Sequence, residues 1–164
     1  MTDIMNYLKE AESYLSDISE KVVYPENQTN RIDVYVAPQD IKRAVKALYD
    51  HHFGYLITIS AYDTTSDDGK PQIGLVYHFG EGPTICSIRT FLPHDHRIVD
   101  TICDIIGSAT VYERECRELF GIEIVGTPDK SKLLLPEDWP DGVYPMLKSF
   151  TGLTDAGKWQ KESK

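Results

Sequence analysis

The sequence contains few of the residues that build redox, membrane or nucleic-acid sites. Its three cysteines, Cys86, Cys103 and Cys116, are far apart and form no CxxC pair. They cannot supply the ligand set of an iron–sulfur cluster, and free thiols in a reducing cytoplasm are expected. Basic residues are also scarce: 17 stand against 26 acidic residues, for a formal net charge of −9. This charge disfavours binding to phosphate backbones and to anionic lipid.

Long apolar runs and targeting signals are absent as well. The longest apolar candidate, residues 55–61, has the length of a buried strand and is too short to span a membrane. The N-terminal residues are acidic and amphipathic, without the basic start and apolar middle of a signal peptide. Gly80-Glu81-Gly82 lacks the third glycine and the following helix of a nucleotide fingerprint. We therefore expect no bound cofactor and no catalytic group in this chain.

Length and periodicity predict one compact domain followed by a tail. The chain has 164 residues, of which 41% are apolar and 26% charged, as in ordinary globular domains. Apolar spacing predicts helices over residues 4–18 and from Pro38 to about His52. Alternation predicts strands over residues 31–37, 55–62, 72–79 and 84–92, and short polar loops with glycine make the last three a meander.

A further helix is predicted from a cap at Asp95 to a stop at Gly107, with buried positions Ile98, Val99, Ile102, Ile105 and Ile106. The resulting fold class is α+β: a mainly antiparallel sheet of about four strands with helices packed on one face, plus an extended C-terminal arm. We place the boundary near Gly121, with a core domain over residues 1–121 and a partner-binding arm over 122–164.

The segment from Tyr112 to Gly121 predicts a short, densely charged helix. Thr110 and Glu113 have the spacing of a capping box, and Gly121 can supply a left-handed stop. Glu113 with Arg117, and Arg114 with Glu118, have the spacing of helical ion pairs. These features describe an ordinary surface helix. Dense charge rich in arginine, including Glu115 and beside an aromatic face at Phe120, also fits a surface that sets the register of a second protein.

The tail beyond this helix is apolar and stiffened by proline. Leu133, Leu134 and Leu135 are consecutive, so one regular element in water cannot hide all three on one face. Pro136, Pro140 and Pro145 keep the chain extended. Trp139, Tyr144 and Phe150 are anchors of the kind that fill partner pockets. The tail either wraps its own domain or lies on a second polypeptide. The predicted partner-binding residues are Glu113, Arg114, Glu115, Arg117, Glu118, Phe120, Gly121, Leu133, Leu134, Leu135, Pro136, Trp139, Tyr144, Pro145 and Phe150.

These residues also carry a family resemblance. The string ERECRELFG, from Glu113 to Gly121, resembles the ERExxDLFG signature of the C subunit (thirty-kilodalton subunit) of NADH:quinone dehydrogenase, respiratory complex I. The later strings LLLPEDWP and YPMLKSF are similar to that family's ending. The chain departs at Glu118, where the signature has Asp, and at Thr127, where complex I members tend to have His. The resemblance therefore extends to related subunits of energy-converting nickel–iron hydrogenases, formate hydrogenlyases and archaeal deazaflavin-dependent dehydrogenases.

The resemblance implies a cofactor-free subunit in the peripheral arm of a membrane-associated redox complex. Such a subunit docks on a large hydrogenase-like subunit that carries the quinone pocket or metal centre, on the cytoplasmic side of the membrane. It implies no catalytic role for the signature positions. It also predicts neighbouring peripheral-arm subunits as partners, with no nucleic acid and no membrane insertion.

Two alternatives remain open from the sequence. His94, Asp95 and His96 offer two imidazoles and a carboxylate to a metal, which would suit a small stand-alone enzyme. A zinc site needs three or four ligands in fixed geometry, and no clear set of that kind is evident. Alternatively, the tail swaps onto a second copy of the chain, which would make the protein a self-associating module.

Overall fold

The computed structural model describes residues 2–152, which form three α-helices and seven β-strands. The helices are α1 (Thr2–Leu15), α2 (Ile41–Asp50) and α3 (Ala109–Phe120). The strands are β1 (Lys21–Val23), β2 (Arg31–Tyr35), β3 (Tyr55–Thr65), β4 (Pro71–Glu81), β5 (Thr84–Pro93), β6 (Ile98–Asp100) and β7 (Glu123–Val125).

The central sheet has five strands in the order β1-β2-β5-β4-β3. Strands β3, β4 and β5 are antiparallel neighbours, which confirms the predicted meander. Strand β2 lies parallel to β5, with Ile32 opposite Cys86, so the sheet is mixed. The short strand β1, which the sequence did not predict, pairs with β2 at the edge.

The helices lie on one face of this sheet and form the core with it, which confirms the predicted α+β class. The core contains Leu8 of α1, Leu48 of α2 and Cys116 of α3, all buried. The alternating residues of β4, among them Tyr77 and Phe79, meet them from the sheet. Because side chains alternate across a strand, the residues between them lie on the opposite face.

The predicted helix between Asp95 and Gly107 is wrong. Ile98–Asp100 forms β6, which pairs in parallel with β7, with Val99 opposite Ile124. The backbone N–H of Thr101 continues the pairing by donating to Val125 O at 2.9 Å. The apolar spacing in this segment suits a helix and a buried strand followed by a turn equally well. The distant partner strand decides between them.

The compact unit extends beyond Gly121 to Val125. Ile122 and Ile124 are buried members of the core, and β7 completes the small second sheet with β6. After Val125 the described chain has no further helix or strand up to residue 152. We call residues 126–152 the described arm; the rest of the predicted arm, residues 153–164, lies outside the described residues. Within residues 2–152, no helix has the length and apolarity required to cross a membrane.

Candidate partner-binding surface

Helix α3 begins after Ser108 and ends at Gly121, whose φ of 68° is left-handed. Gly121 N–H donates to Arg117 O at 3.1 Å, so the predicted glycine stop is confirmed. The predicted capping box is wrong. Ser108 is the N-cap and makes no side-chain capping bond, and the Glu113 carboxylate is used elsewhere.

Glu113 is a buried structural residue, only 1% exposed. Its carboxylate accepts hydrogen bonds from Thr101 Oγ1 at 2.7 Å and from the backbone N–H of Ile102 at 2.8 Å. The Cys103 thiol donates to it as well, at 3.2 Å. Buried carboxylates require such donors, and these three tie α3 to the turn after β6.

Glu118 holds the three consecutive leucines of the arm by their backbone. Its carboxylate accepts hydrogen bonds from the N–H groups of Leu133 and Leu134, both at 2.7 Å, and of Leu135 at 3.3 Å. Glu118 itself is buried. A charged acceptor roughly doubles the strength of a hydrogen bond, so this cluster is a firm attachment.

The two arginines of the helix hold the preceding stretch of the arm. Arg114 donates to Lys132 O at 2.7 Å and to Ser131 O at 3.1 Å, and its Nη1 lies 3.2 Å from a carboxylate oxygen of Asp129. Arg117 donates to the carbonyls of Asp129, at 3.3 Å, and of Lys130. Arg114 and Arg117 also help Ser131 to lower the pKa of Asp129.

The predicted helical pairs, Glu113 with Arg117 and Arg114 with Glu118, are therefore wrong. All four side chains serve groups outside the helix. The reason is that the arm has no sheet or helix of its own, so its backbone groups require side-chain partners. Ion pairs at a helix surface are worth only a few tenths of a kcal/mol and compete poorly with that demand.

A lysine closes the next loop of the arm. Lys132 Nζ donates to the carbonyls of Glu137 and Trp139, both at 2.8 Å, and to Pro136 O at 3.2 Å. Trp139 Nε1 donates to Val143 O at 2.9 Å. The loop therefore has a defined shape before any partner binds.

The later part of the arm returns to the end of α3. The Tyr144 ring lies against Gly121, where an added Cβ would come within 2.4 Å of it. The Arg97 guanidinium lies 5.1 Å from the centroid of the same ring. Further along, Met146 N–H donates to Leu119 O at 3.1 Å.

The side chains of the arm are much less buried than its backbone contacts suggest. Leu134 is 58% exposed and Met146 is 55% exposed. The other apolar anchors, Leu133, Leu135, Trp139, Tyr144, Pro145 and Phe150, are half-buried, and Pro136 is exposed. A cleft of about 360 Å³ lies between the arm and the end of α3, with Trp139 and Tyr144 in its lining. The arm thus follows its own domain by its backbone and leaves apolar side chains accessible.

The predicted partner-binding residues consequently fall into four groups. Glu113 and Phe120 are buried in the domain. Arg114, Arg117, Glu118 and Gly121 shape and hold the arm. Of the predicted apolar residues of the arm, Leu134 and Pro136 are exposed and the others are half-buried. The Glu115 side chain is half-exposed and makes no hydrogen bond or ion pair with residues 2–152. Whether these residues bind a partner stays a prediction.

The sequence did not single out Arg97, Lys132 or Asp63 as parts of this surface. Asp63 accepts a hydrogen bond from Lys148 N–H at 2.8 Å, across 85 positions of sequence. No local spacing signals a contact of that range.

The histidines of the predicted metal loop do not converge on one point. His94 Nε2 lies 2.8 Å from Asp63 Oδ1, and His96 is exposed. Among residues 2–152, no three or more His, Cys, Asp or Glu side chains are placed to hold a metal ion.

Known proteins similar to this chain are subunits of redox complexes. The chain is 29% identical over 126 residues to hydrogenase-4 component G of Escherichia coli strain K12, covering 76% of this chain and 22% of that protein. It is 27% identical over 132 residues to membrane-bound hydrogenase subunit beta of Pyrococcus furiosus, covering 76% of this chain and 73% of that protein. The chain therefore spans about a fifth of the first relative and most of the second.

The fold matches a chain of the membrane-bound sulfane sulfur reductase, an archaeal respiratory membrane complex. The TM-score is 0.68 at 23% identity, over 93% of this chain and 90% of that one. A family model for the 30 kDa subunit of respiratory-chain NADH dehydrogenase matches residues 34–155. Since this match covers most of the sequence, the chain belongs to the family of the respiratory-chain NADH dehydrogenase 30 kDa subunit.

Proposed function

We propose that this chain is a non-catalytic subunit in the peripheral arm of a membrane-associated redox complex, of the NADH:quinone dehydrogenase or energy-converting hydrogenase type. It docks on the large redox subunit, on the cytoplasmic side of the membrane, and supports electron transfer by positioning that subunit. The arm that starts at Gly126 is the main docking element.

The observation that carries the proposal is that the arm has a backbone held by its own domain but apolar side chains that stay accessible. Its backbone is held by Glu118, Arg114 and Arg117, while Leu134 is 58% exposed and the neighbouring apolar side chains are half-buried. Ordering the backbone beforehand lowers the entropy cost of binding, and exposed apolar anchors supply the favourable contact.

The different lengths of two relatives support the proposal that this chain binds a large protein. The matching region makes up 22% of hydrogenase-4 component G and 73% of membrane-bound hydrogenase subunit beta. In the first, the same unit is covalently joined to a much longer polypeptide. A domain that occurs both fused and separate is expected to pack against the protein to which it is fused elsewhere.

Copurification from native membranes tests the proposal. A tagged full-length chain is expected to recover a large hydrogenase-like subunit in equal amount, and a chain truncated after Gly126 is expected to lose it. The matched control is Met5→Glu, which alters an exposed apolar residue on α1, away from the arm. Recovery of the full-length chain without other subunits would contradict the proposal. Undiminished recovery by the truncated chain would refute the role of the arm.

A further inference from the structure

The sheet face opposite the three helices forms a second surface, which we call the open face. Its residues alternate with the core residues of β1–β5 and include Asp33, Tyr62, Val76, His78 and Arg89. The helices α1, α2 and α3 all contribute to the core on the other side. Within residues 2–152, therefore, no helix covers the open face.

Two glycines of β4 flatten one half of the open face. A Cβ at Gly74 would lie 2.3 Å from Tyr62 Cζ, and a Cβ at Gly80 would lie 2.9 Å from Ile57 Cδ1. The side chains of Tyr62 and Ile57, both in β3, thus lie across β4. Tyr62 and Ile57 are nevertheless 37% exposed, and Tyr55 beside them is 69% exposed. Glycine in the interior of a strand weakens that strand, and it often marks a site where a ligand or another backbone approaches closely.

The other half of the open face is basic. Asp33 lies between Arg31 Nε, at 2.7 Å, and Arg89 Nε, at 3.0 Å. Lys21 lies 5.6 Å from the centroid of the Tyr35 ring. Burial and the charges of Arg31 and Arg89 lower the pKa of His78, which lies beside them. Three basic side chains thus stand against one acidic side chain, in a protein whose formal net charge is −9.

Arg89 has unused hydrogen-bonding capacity at the centre of this region. Among residues 2–152, Asp33 is the only ion-pair partner of its side chain, and the buried Nε makes no hydrogen bond. Its side chain is 18% exposed, and its terminal nitrogens have no hydrogen-bond partner among residues 2–152. A fixed guanidinium with free terminal donors matches a carboxylate.

We infer that the open face is a second docking surface for an acidic protein surface on a neighbouring subunit. A carboxylate of that neighbour pairs with Arg89, and its apolar side chains rest on Ile57 and Tyr62. This inference rests on the proposed function but uses a surface distinct from the arm.

The chain's own end does not complement this surface. Residues 153–164 contain three lysines against two acidic residues, so their side chains offer this surface no excess of negative charge. Nucleic acid and lipid are disfavoured by the uncharged half of the face and by Asp33 at the centre of its basic half. A protein surface with both acidic and apolar groups matches both halves.

Photocrosslinking in the assembled complex tests the inference. A photoreactive amino acid replaces Tyr62 in the full-length chain, and adducts formed in native membranes are identified by mass spectrometry. We expect an adduct with another subunit, within a peptide that has more acidic than basic residues. The variant Arg89→Glu is expected to lower its yield at least tenfold. The control Arg43→Glu, on the exposed surface of α2, is expected to leave it unchanged.

Each outcome decides the inference. No adduct from Tyr62, an adduct with a second copy of the chain, or an adduct with a basic peptide would overturn it. A photoreactive residue at Leu134 separates this result from the proposed function. If Leu134 gives an adduct with a large subunit and Tyr62 gives none, the open face is not a docking surface and the arm is. Thermal melting of Arg89→Glu verifies that a lost adduct does not result from unfolding.

Discussion

The Glu118 carboxylate lies 2.7 Å from the backbone nitrogen of Leu134, while the Leu134 side chain is 58% exposed. One residue is thus fixed by its backbone and free at its side chain. Glu118 also holds the backbones of Leu133 and Leu135, whose side chains are half-buried. The charged helix acts as the holder of the apolar arm, and the arm supplies the surface that a partner can contact.

Glu118→Gln is expected to loosen the arm while leaving the domain folded. Glutamine offers one acceptor oxygen in place of two, and hydrogen bonds to a charged group contribute about 1.5–3 kcal/mol. We expect the free energy of arm opening to fall by ~2 kcal/mol, about a 30-fold rise in amide hydrogen exchange at residues 133–135. Glu115→Gln on the same helix is the control and is expected to change nothing. Equal amide exchange rates in the two variants would show that Glu118 is not the attachment point of the arm.

Glu113→Ala is expected to destabilise the whole domain. The change leaves the Thr101 hydroxyl and the Ile102 N–H buried without their acceptor, each at a cost of about 1–3 kcal/mol. We predict a loss of roughly 3 kcal/mol in the free energy of unfolding, measured by urea denaturation. Glu115→Ala is the matched control. A loss below about 1 kcal/mol would show that the buried carboxylate is dispensable.

Gly121→Ala tests the contact between the end of α3 and the arm. An alanine there has to adopt the left-handed conformation, at about 1–2 kcal/mol, and its Cβ would meet the Tyr144 ring at 2.4 Å. Gly142→Ala has a similar φ of 77° but open space around its Cβ, so it carries only the conformational cost. We expect the larger loss of thermal stability at Gly121, partly recovered in the double variant Gly121→Ala/Tyr144→Ala. Equal losses at both glycines would contradict the packing of Tyr144.

The end of the described arm is expected to be released at low pH. Burial alone would raise the pKa of Asp63, but the Lys148 N–H and His94 outweigh it and lower that pKa. A lowered carboxyl pKa contributes stability above the unfolded value of about 3.9, and that stability is lost as pH falls through the folded pKa. The protection of the Lys148 amide from hydrogen exchange, taken relative to the intrinsic rate at each pH, is expected to fall below about pH 4. Asp63→Asn is expected to remove this pH dependence. If the pH dependence persists in that variant, a group other than Asp63 causes it.

Local patterns in the sequence predicted the elements whose partners are close by. Alternation identified β3, β4 and β5, because consecutive antiparallel strands pair with each other. Gly121 was identified as a helix stop because that role depends on its own backbone. The charged residues of α3 are evident from the sequence, whereas the groups to which they hydrogen-bond are not.

The errors concern residues whose partners are distant in sequence. Glu113 and Arg117 have the spacing of a helical pair, but Thr101 and Asp129 bind them in the fold. Ile98 and Val99 suit a helix until Glu123–Val125 pairs with them as a strand. The parallel position of β2 beside β5 likewise depends on chain topology, which no local periodicity encodes.

The most direct test of the central claim is the effect of Leu134→Glu on assembly and on stability, measured side by side. The isolated chain is expected to melt at an unchanged temperature, because this side chain is largely exposed. Recovery of the large subunit from native membranes is expected to be lost, whereas Met5→Glu retains it. If Leu134→Glu assembles as well as Met5→Glu, the arm does not dock through its exposed leucine and the account fails.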